Sequence, residues 1–324
     1  MASTNIFYLF FIVFFPLVIV VGIAGLLVFT IITMLMLYSF NSNYVTIPIL
    51  NLSYQGSSIS QYMMWYILVG FIWTFTFITG INEVTIAGAI AQWYWTRDKT
   101  SRIYFPVTKA FYRTCRYHLG SVAVGSLLIT IIEVFRLLLW RAQRMAKKSN
   151  NKSLQYLLCC CQCCMGCVAV VMKFVNRNAY ICIAVTGKAF FKSAAEASGI
   201  LLRNALRLVA VDFVADFILF ISKLCVTALC AVGSYLFLIY RPSTFPNINF
   251  PFITVAFVAI IAYMVSTAFF SIFHLAVDTI FFSFLEDSEK NDGSNERPFF
   301  MSDNLKKIIG AKGKNANQVE VSSF

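Results

Sequence analysis

Glu83 lies in a stretch that otherwise reads as lipid-soluble, directly after Asn82 and ten residues before the run Trp93-Tyr94-Trp95. No cationic side chain stands within four residues of it. An ionisable residue at hydrocarbon depth is costly, so it either faces a watery cavity or titrates. Aromatic faces attract quaternary ammonium groups, which cannot donate hydrogen bonds and so need charge attraction without them. Glu83, Trp93, Tyr94, Trp95 and Tyr180 are therefore the candidate substrate-binding residues for an organic cation, with Trp65 and Trp73 as further candidates. The triplet before Arg97 also has a plainer use, because rings at that position anchor a helix at the head groups.

Other ionisable residues interrupt apolar runs. Glu133 and Arg136 are three apart, on one helical face, and read as a local ion pair. Asp212 and Asp216 share a face by their four-residue spacing, with Lys223 seven residues further on the same side. Asp278, near the end of its run, reads as interfacial. Six cysteines, Cys159, Cys160, Cys161, Cys163, Cys164 and Cys167, crowd one short stretch. Their overlapping C-x-x-C spacings suggest zinc, but a second ligand pair is absent and neither His118 nor His274 is near in sequence. Lipid attachment beside basic residues and plain packing at a span end both remain open for them. No metal site or cofactor is expected.

Catalytic patterns are missing: there is no G-x-S-x-G, no glycine-rich phosphate loop and no H-E-x-x-H. Two histidines cannot build a histidine-rich di-iron centre. The chain is not expected to be an enzyme.

The elements that must position these residues follow from composition. Of 324 residues, 59% are hydrophobic and 12% charged, and the mean hydropathy is +0.75. A soluble domain carries about 25% charged residues, so this is an integral membrane protein. Apolar runs longer than about 18 residues make it all-α, a polytopic helical protein, since a membrane barrel would alternate in segments of about ten. Six spans are expected, at 7–38, 62–96, 119–140, 164–187, 211–240 and 251–283. The fourth is weak, because it contains Lys173 and Arg177. The first run is too long for a signal-peptide core and reads as a retained span. Residues 1–285 are expected to form one transmembrane domain and 286–324 a cytoplasmic tail.

Orientation follows from counting Lys and Arg. The loop 39–61 has no charged residue and carries the sequon Asn51-Leu52-Ser53, so it is placed outside, with Asn51 as a glycosylation site. The loops 97–116 and 188–207 are basic and placed inside, as are both termini. Parity puts 141–163 outside although it holds Arg141, Arg144, Lys147, Lys148 and Lys152; a second sequon at Asn151 agrees with parity, the charges do not. The net charge of +12 fits lipid head groups, and no nucleic-acid module is present.

Five strings in order, "TIAGAIAQWYWTRDK", "RYHLGS", the cysteine cluster, "FVNRNAYICIAVTGKAFFKSA" and "FLEDSEKNDGSNERPFFMS", resemble the choline transporter-like family, solute carrier family 44. The likeness runs from about residue 62 to 303, and the Asn-Asp-Gly turn with Arg297-Pro298 is its most telling part. The resemblance implies a ten-span carrier of choline and related ethanolamine-type cations with both termini in the cytosol, at plasma or organellar membranes. It also implies that the third and fourth segments both cross. Family members are about twice this length, and some have uncharged polar residues where Asn82-Glu83 stands, so Glu83 is a candidate from this sequence rather than from the family.

Two functions are expected from this reading. The first is a choline-like cation carrier of the plasma membrane, working by alternating access. The second is a truncated, non-transporting protein that partners or regulates a full-length carrier.

Overall fold

The computed structural model describes residues 2–42, 45–47, 52–54, 57–97, 105–148, 152–240, 251–294 and 296–301. The sequons at Asn51 and Asn151, and the tail beyond Met301, lie outside the described residues. Among the described residues the fold is helical: α1 (Ala2–Ser42), α2 (Ser57–Tyr94), α3 (Pro106–Arg113), α4 (Leu119–Lys148), α5 (Lys152–Thr186), α6 (Phe190–Arg203), α7 (Ala205–Tyr240) and α8 (Pro251–Lys290). A short antiparallel pair, β1 (Val45–Ile47) and β2 (Leu52–Tyr54), joins α1 to α2, with Val45 opposite Tyr54. Six helical stretches are long and apolar enough to cross a membrane: Val18–Ser39, Tyr62–Tyr94, Pro106–Lys148, Lys152–Thr186, Ala205–Tyr240 and Phe252–Lys290. Their outer faces carry bare apolar side chains, such as Phe29, Leu229 and Phe257. Lipid, rather than water, suits such surfaces.

The third and fourth spans differ from the sequence expectation in length. A π-helical turn, Thr114–His118, fuses α3 to α4, so the third span is one helical run of 43 residues. The charged segment 141–163, read from sequence as a loop, is almost entirely helix, and only 149–151 falls between α4 and α5. The reason is that Arg, Lys, Gln, Met, Ala and Leu are strong helix formers, and hydropathy does not register that preference. The Gln155 side-chain amide donates to the Ala146 carbonyl at 3.3 Å, tying the two helix ends together. The cysteine cluster accordingly lies on α5, with all six thiols free and exposed.

The chain divides into two compact units, 17–85 with 108–198, and 1–16 with 86–107 and 199–324. In the first of these, α4 runs antiparallel to both α2 and α5. Thr76 meets Thr130 and Trp65 meets Arg141 on one side; Val122 meets Tyr180 and Glu133 meets Lys173 on the other. Gly187 ends α5 with φ +72°, donating to the Ile183 carbonyl at 2.9 Å, a conformation that favours glycine because it has no Cβ. In the second unit, α7 and α8 form an antiparallel hairpin in which Asp216 meets His274 and Tyr235 stacks on Phe252. The stretch 84–91, "VTIAGAIA", is buried on every side of α2. Alanine and glycine there permit close helix approach, as small residues do in membranes.

Candidate functional site

A polar cluster sits near the middle of α2 in the first unit. Gly80 and Glu83 lie within about a turn and a half of the centre of the Tyr62–Tyr94 span. Tyr180, 1% exposed, reaches across from α5 and donates its hydroxyl to the Val122 carbonyl of α4 at 3.0 Å. Two glycines make room for it. A Cβ on Gly80 would lie 2.8 Å from Val122 and 3.0 Å from the Tyr180 ring. One on Gly125 would lie 2.4 Å from Asn176 Oδ1, 2.6 Å from the Tyr180 hydroxyl and 2.7 Å from Phe190. The Phe190 ring, at the start of α6, closes the other side of Tyr180 edge-on at 6.2 Å.

Glu83 is half-buried and close enough to Tyr180 to act on it electrostatically. The side-chain carbonyl oxygens of Asn82 and Asn176 are buried and accept no hydrogen bond from any described residue. The open Asn176 oxygen and the Tyr180 hydroxyl both border Gly125, and with the Glu83 carboxylate they form a neighbourhood richer in acceptors than in donors. A turn before Gly80 on α2, the Thr76 and Thr130 hydroxyls lie 3.1 Å apart, which continues the polar seam between α2 and α4.

The Glu133–Arg136 pair is present at 3.0 Å, and Lys173 joins it from α5 at 2.5 Å. Lys173 weakened the fourth span on paper; in the fold its charge is met by Glu133 across the α4–α5 contact. Toward the joined ends of α4 and α5, Arg141 lies over the Trp65 ring at 5.0 Å and Arg144 over Trp140 at 3.7 Å.

Trp93, Tyr94 and Trp95 belong to the second unit and point three ways, because successive residues of a helix are about 100° apart. Trp93 is 47% exposed. Tyr94 is buried and donates its hydroxyl to Asp287 Oδ2 at 3.2 Å. Trp95 packs on Phe300 at 5.1 Å, and Arg97 lies over the same ring at 5.3 Å. Asp287, which sequence reasoning did not single out, organises this end. It is fully buried at the close of α8 and accepts from the backbone N–H groups of Phe300 and Met301, both at 2.9 Å, and from the Asn291 amide at 2.7 Å. Gly293, with φ +77°, donates to the Arg297 carbonyl and turns the chain back toward it. Glu289 receives both Arg203 nitrogens, at 3.2 and 2.8 Å, from the end of α6, and this carboxylate holds the exposed guanidinium above its ordinary pKa. Among the described residues, no three His, Cys, Asp or Glu side chains stand together as a metal site.

A family model described as "Plasma-membrane choline transporter" matches residues 1–289. The chain belongs to the choline transporter-like family. Among similar proteins, choline transporter-like 2 of Drosophila melanogaster is 40% identical over 270 residues, covering 82% of this chain and 34% of that one. Choline transporter-like protein 2 of Dictyostelium discoideum is 36% identical over 264 residues, covering 81% and 41%. That of Danio rerio is 39% identical over 249 residues, covering 75% and 36%. The chain thus spans between a third and about two fifths of the length of these curated relatives. As a choline transporter-like protein with six span-length helices, it is an integral membrane protein of a transport family.

Proposed function

We propose that this chain carries choline or a related small organic cation across a membrane by alternating access, without covalent chemistry. The observation that carries the reading is a half-buried mid-span carboxylate, Glu83, within electrostatic reach of the buried Tyr180, whose hydroxyl lies by the open acceptor of Asn176. Glu83 supplies the counter-charge, and the buried Tyr180 helps to shape the surroundings in which that charge is held. Of the aromatics at the end of α2, Trp93 is 47% exposed and is the one within reach of an arriving ammonium, while Tyr94 and Trp95 hold that end in place. The plasma membrane, for which the matching family is named, is the assigned location, and Asn51 its glycosylation site.

Uptake of radiolabelled choline into proteoliposomes containing only this chain tests the proposal. A carboxylate near 4 Å from an ammonium contributes about 4 kcal/mol at an effective dielectric of 20. Glu83→Gln is therefore expected to lower uptake at sub-saturating choline by about tenfold or more. Background uptake by a folded, monodisperse protein removes the claim of autonomous transport.

A second reading is that the chain works only with another membrane polypeptide, as partner or regulator of a longer carrier. The relatives are longer, this chain covering 34–41% of their length in the matches above. Crosslinking from Trp93 that recovers a second polypeptide, together with uptake restored on co-reconstitution, supports this reading over the first.

A further inference from the structure

Three ionisable side chains meet across the α7–α8 hairpin. His274 on α8 lies between two carboxylates: its Nε2 is 2.9 Å from Asp216 Oδ1 on α7, and its Nδ1 is 3.3 Å from Asp278 Oδ2, one turn on along α8. The two ring nitrogens face opposite ways, so the arrangement does not chelate a metal ion. A carboxylate only accepts hydrogen bonds, and a neutral imidazole has a single N–H. Donating to both carboxylates at once takes one hydrogen more than a neutral ring between two carboxylates contains.

We propose that Asp216, His274 and Asp278 form a proton-binding site that ties α7 to α8. With the extra proton, the ring donates to both carboxylates. When the proton leaves, one N–H remains. It stays on Nδ1, because Asp278 is the more enclosed acceptor, its side chain 14% exposed against 67% for Asp216. The bond lost is then the one between the helices. Histidine is the side chain whose charge changes most readily near neutral pH. The proton comes from the aqueous boundary. Residues 251–273 of α8 contain no acidic or basic side chain, and at 1.5 Å per residue they cover about the 30 Å of a hydrocarbon core. His274 follows directly. Along the two helices, the next charged residues are Asp212, one turn before Asp216, and Lys223, two turns after it, on α7, and Glu286 and Asp287, about two turns beyond Asp278, on α8.

The test uses the full chain in lipid nanodiscs with His118→Gln, so that His274 is the single histidine, and nitrogen-15 labelling of its ring. Between pH 5 and pH 9 the ring is expected to pass from hydrogen on both nitrogens to hydrogen on Nδ1 alone. Amide exchange of α7 around Asp216, corrected for its intrinsic pH dependence, is expected to rise about tenfold with the same midpoint, the effect of losing one charge-assisted hydrogen bond. A ring whose state does not change over that range, or whose remaining hydrogen sits on Nε2, overturns the proposal. Amide exchange in His274→Gln, with His118 in place, provides an independent check: a flat profile supports the site, and an unchanged tenfold rise overturns it.

Discussion

Asp287→Asn is the substitution with the most concentrated effect at the end of α8. In the native fold one oxygen of this buried carboxylate accepts from the Tyr94 hydroxyl at 3.2 Å and from the Phe300 and Met301 N–H groups at 2.9 Å each, while the other accepts from Asn291 at 2.7 Å. An amide can keep one oxygen on the first three donors, but all three lose their charge assistance. A hydrogen bond to a charged group contributes about 1.5–3 kcal/mol and a neutral one about 0.5–1.5, so the loss is roughly 1 kcal/mol per bond and about 3 kcal/mol in all. The amide nitrogen then faces Asn291, whose own amide must turn over to present its oxygen. At about 1.4 kcal/mol per factor of ten, the segment 297–301 opens about a hundredfold more often. Hydrogen–deuterium exchange reads this directly, because two of the donors are the Phe300 and Met301 amides. The variant should exchange both about a hundredfold faster in detergent micelles. Tyr94→Phe, which removes one donor and leaves the carboxylate, should raise the rate by less than tenfold. Unchanged protection at Phe300 and Met301 in Asp287→Asn refutes the claim that this carboxylate holds the segment.

Three further perturbations follow from the packing of the first unit. Gly125→Ala puts a methyl group within 2.4–2.7 Å of Asn176, Tyr180 and Phe190, and such overpacking costs about 1–3 kcal/mol; a lowered thermal midpoint checks it, whereas Gly166→Ala, with nothing within 4 Å, should leave the midpoint where it is. Glu133→Ala strips Lys173 and Arg136 of their shared partner inside the span region; a basic residue at a helix centre costs about 2.5–3.5 kcal/mol in lipid, so expression and thermal stability should fall, and Lys173→Met in the same chain should recover part of the loss. Maleimide labelling of the folded protein in detergent should consume Cys159–Cys164 and Cys167 rapidly and spare Cys182, which is fully buried; mass spectrometry of α5 peptides counts the adducts.

The six spans could be read from the sequence because each is a run of apolar residues long enough to cross a bilayer, and hydropathy is a local property. The Glu133–Arg136 pair was readable for the same reason, since residues three apart on one helix meet whatever surrounds them. The full lengths of α4 and α5 were not. Their joined ends are charged and polar, and helix propensity extends them where hydropathy falls silent. Trp93, Tyr94 and Trp95 stand together in sequence yet take different roles at the end of α2, the first half-exposed, the second bonded to Asp287 and the third packed at a tilt against Phe300. His274 and Asp278 carry the i,i+4 spacing that could have marked them as a pair, but Asp216 joins them only because α7 packs against α8.

By itself, then, the sequence determined the solvent this chain folds in, how many described stretches are long and apolar enough to cross a membrane, and the residues whose charge needs an explanation. All of these depend on composition and on neighbours within a turn or two of helix. Which charges are answered, and by what, was decided only in three dimensions. Tyr180 owes its place to glycines on two other helices, Lys173 its neutralisation to a carboxylate 40 positions earlier, and Asp287 its donors to a turn that brings the chain back on itself. In hydrocarbon no water is at hand to satisfy a polar group, so its partner must come from whichever segment packs beside it.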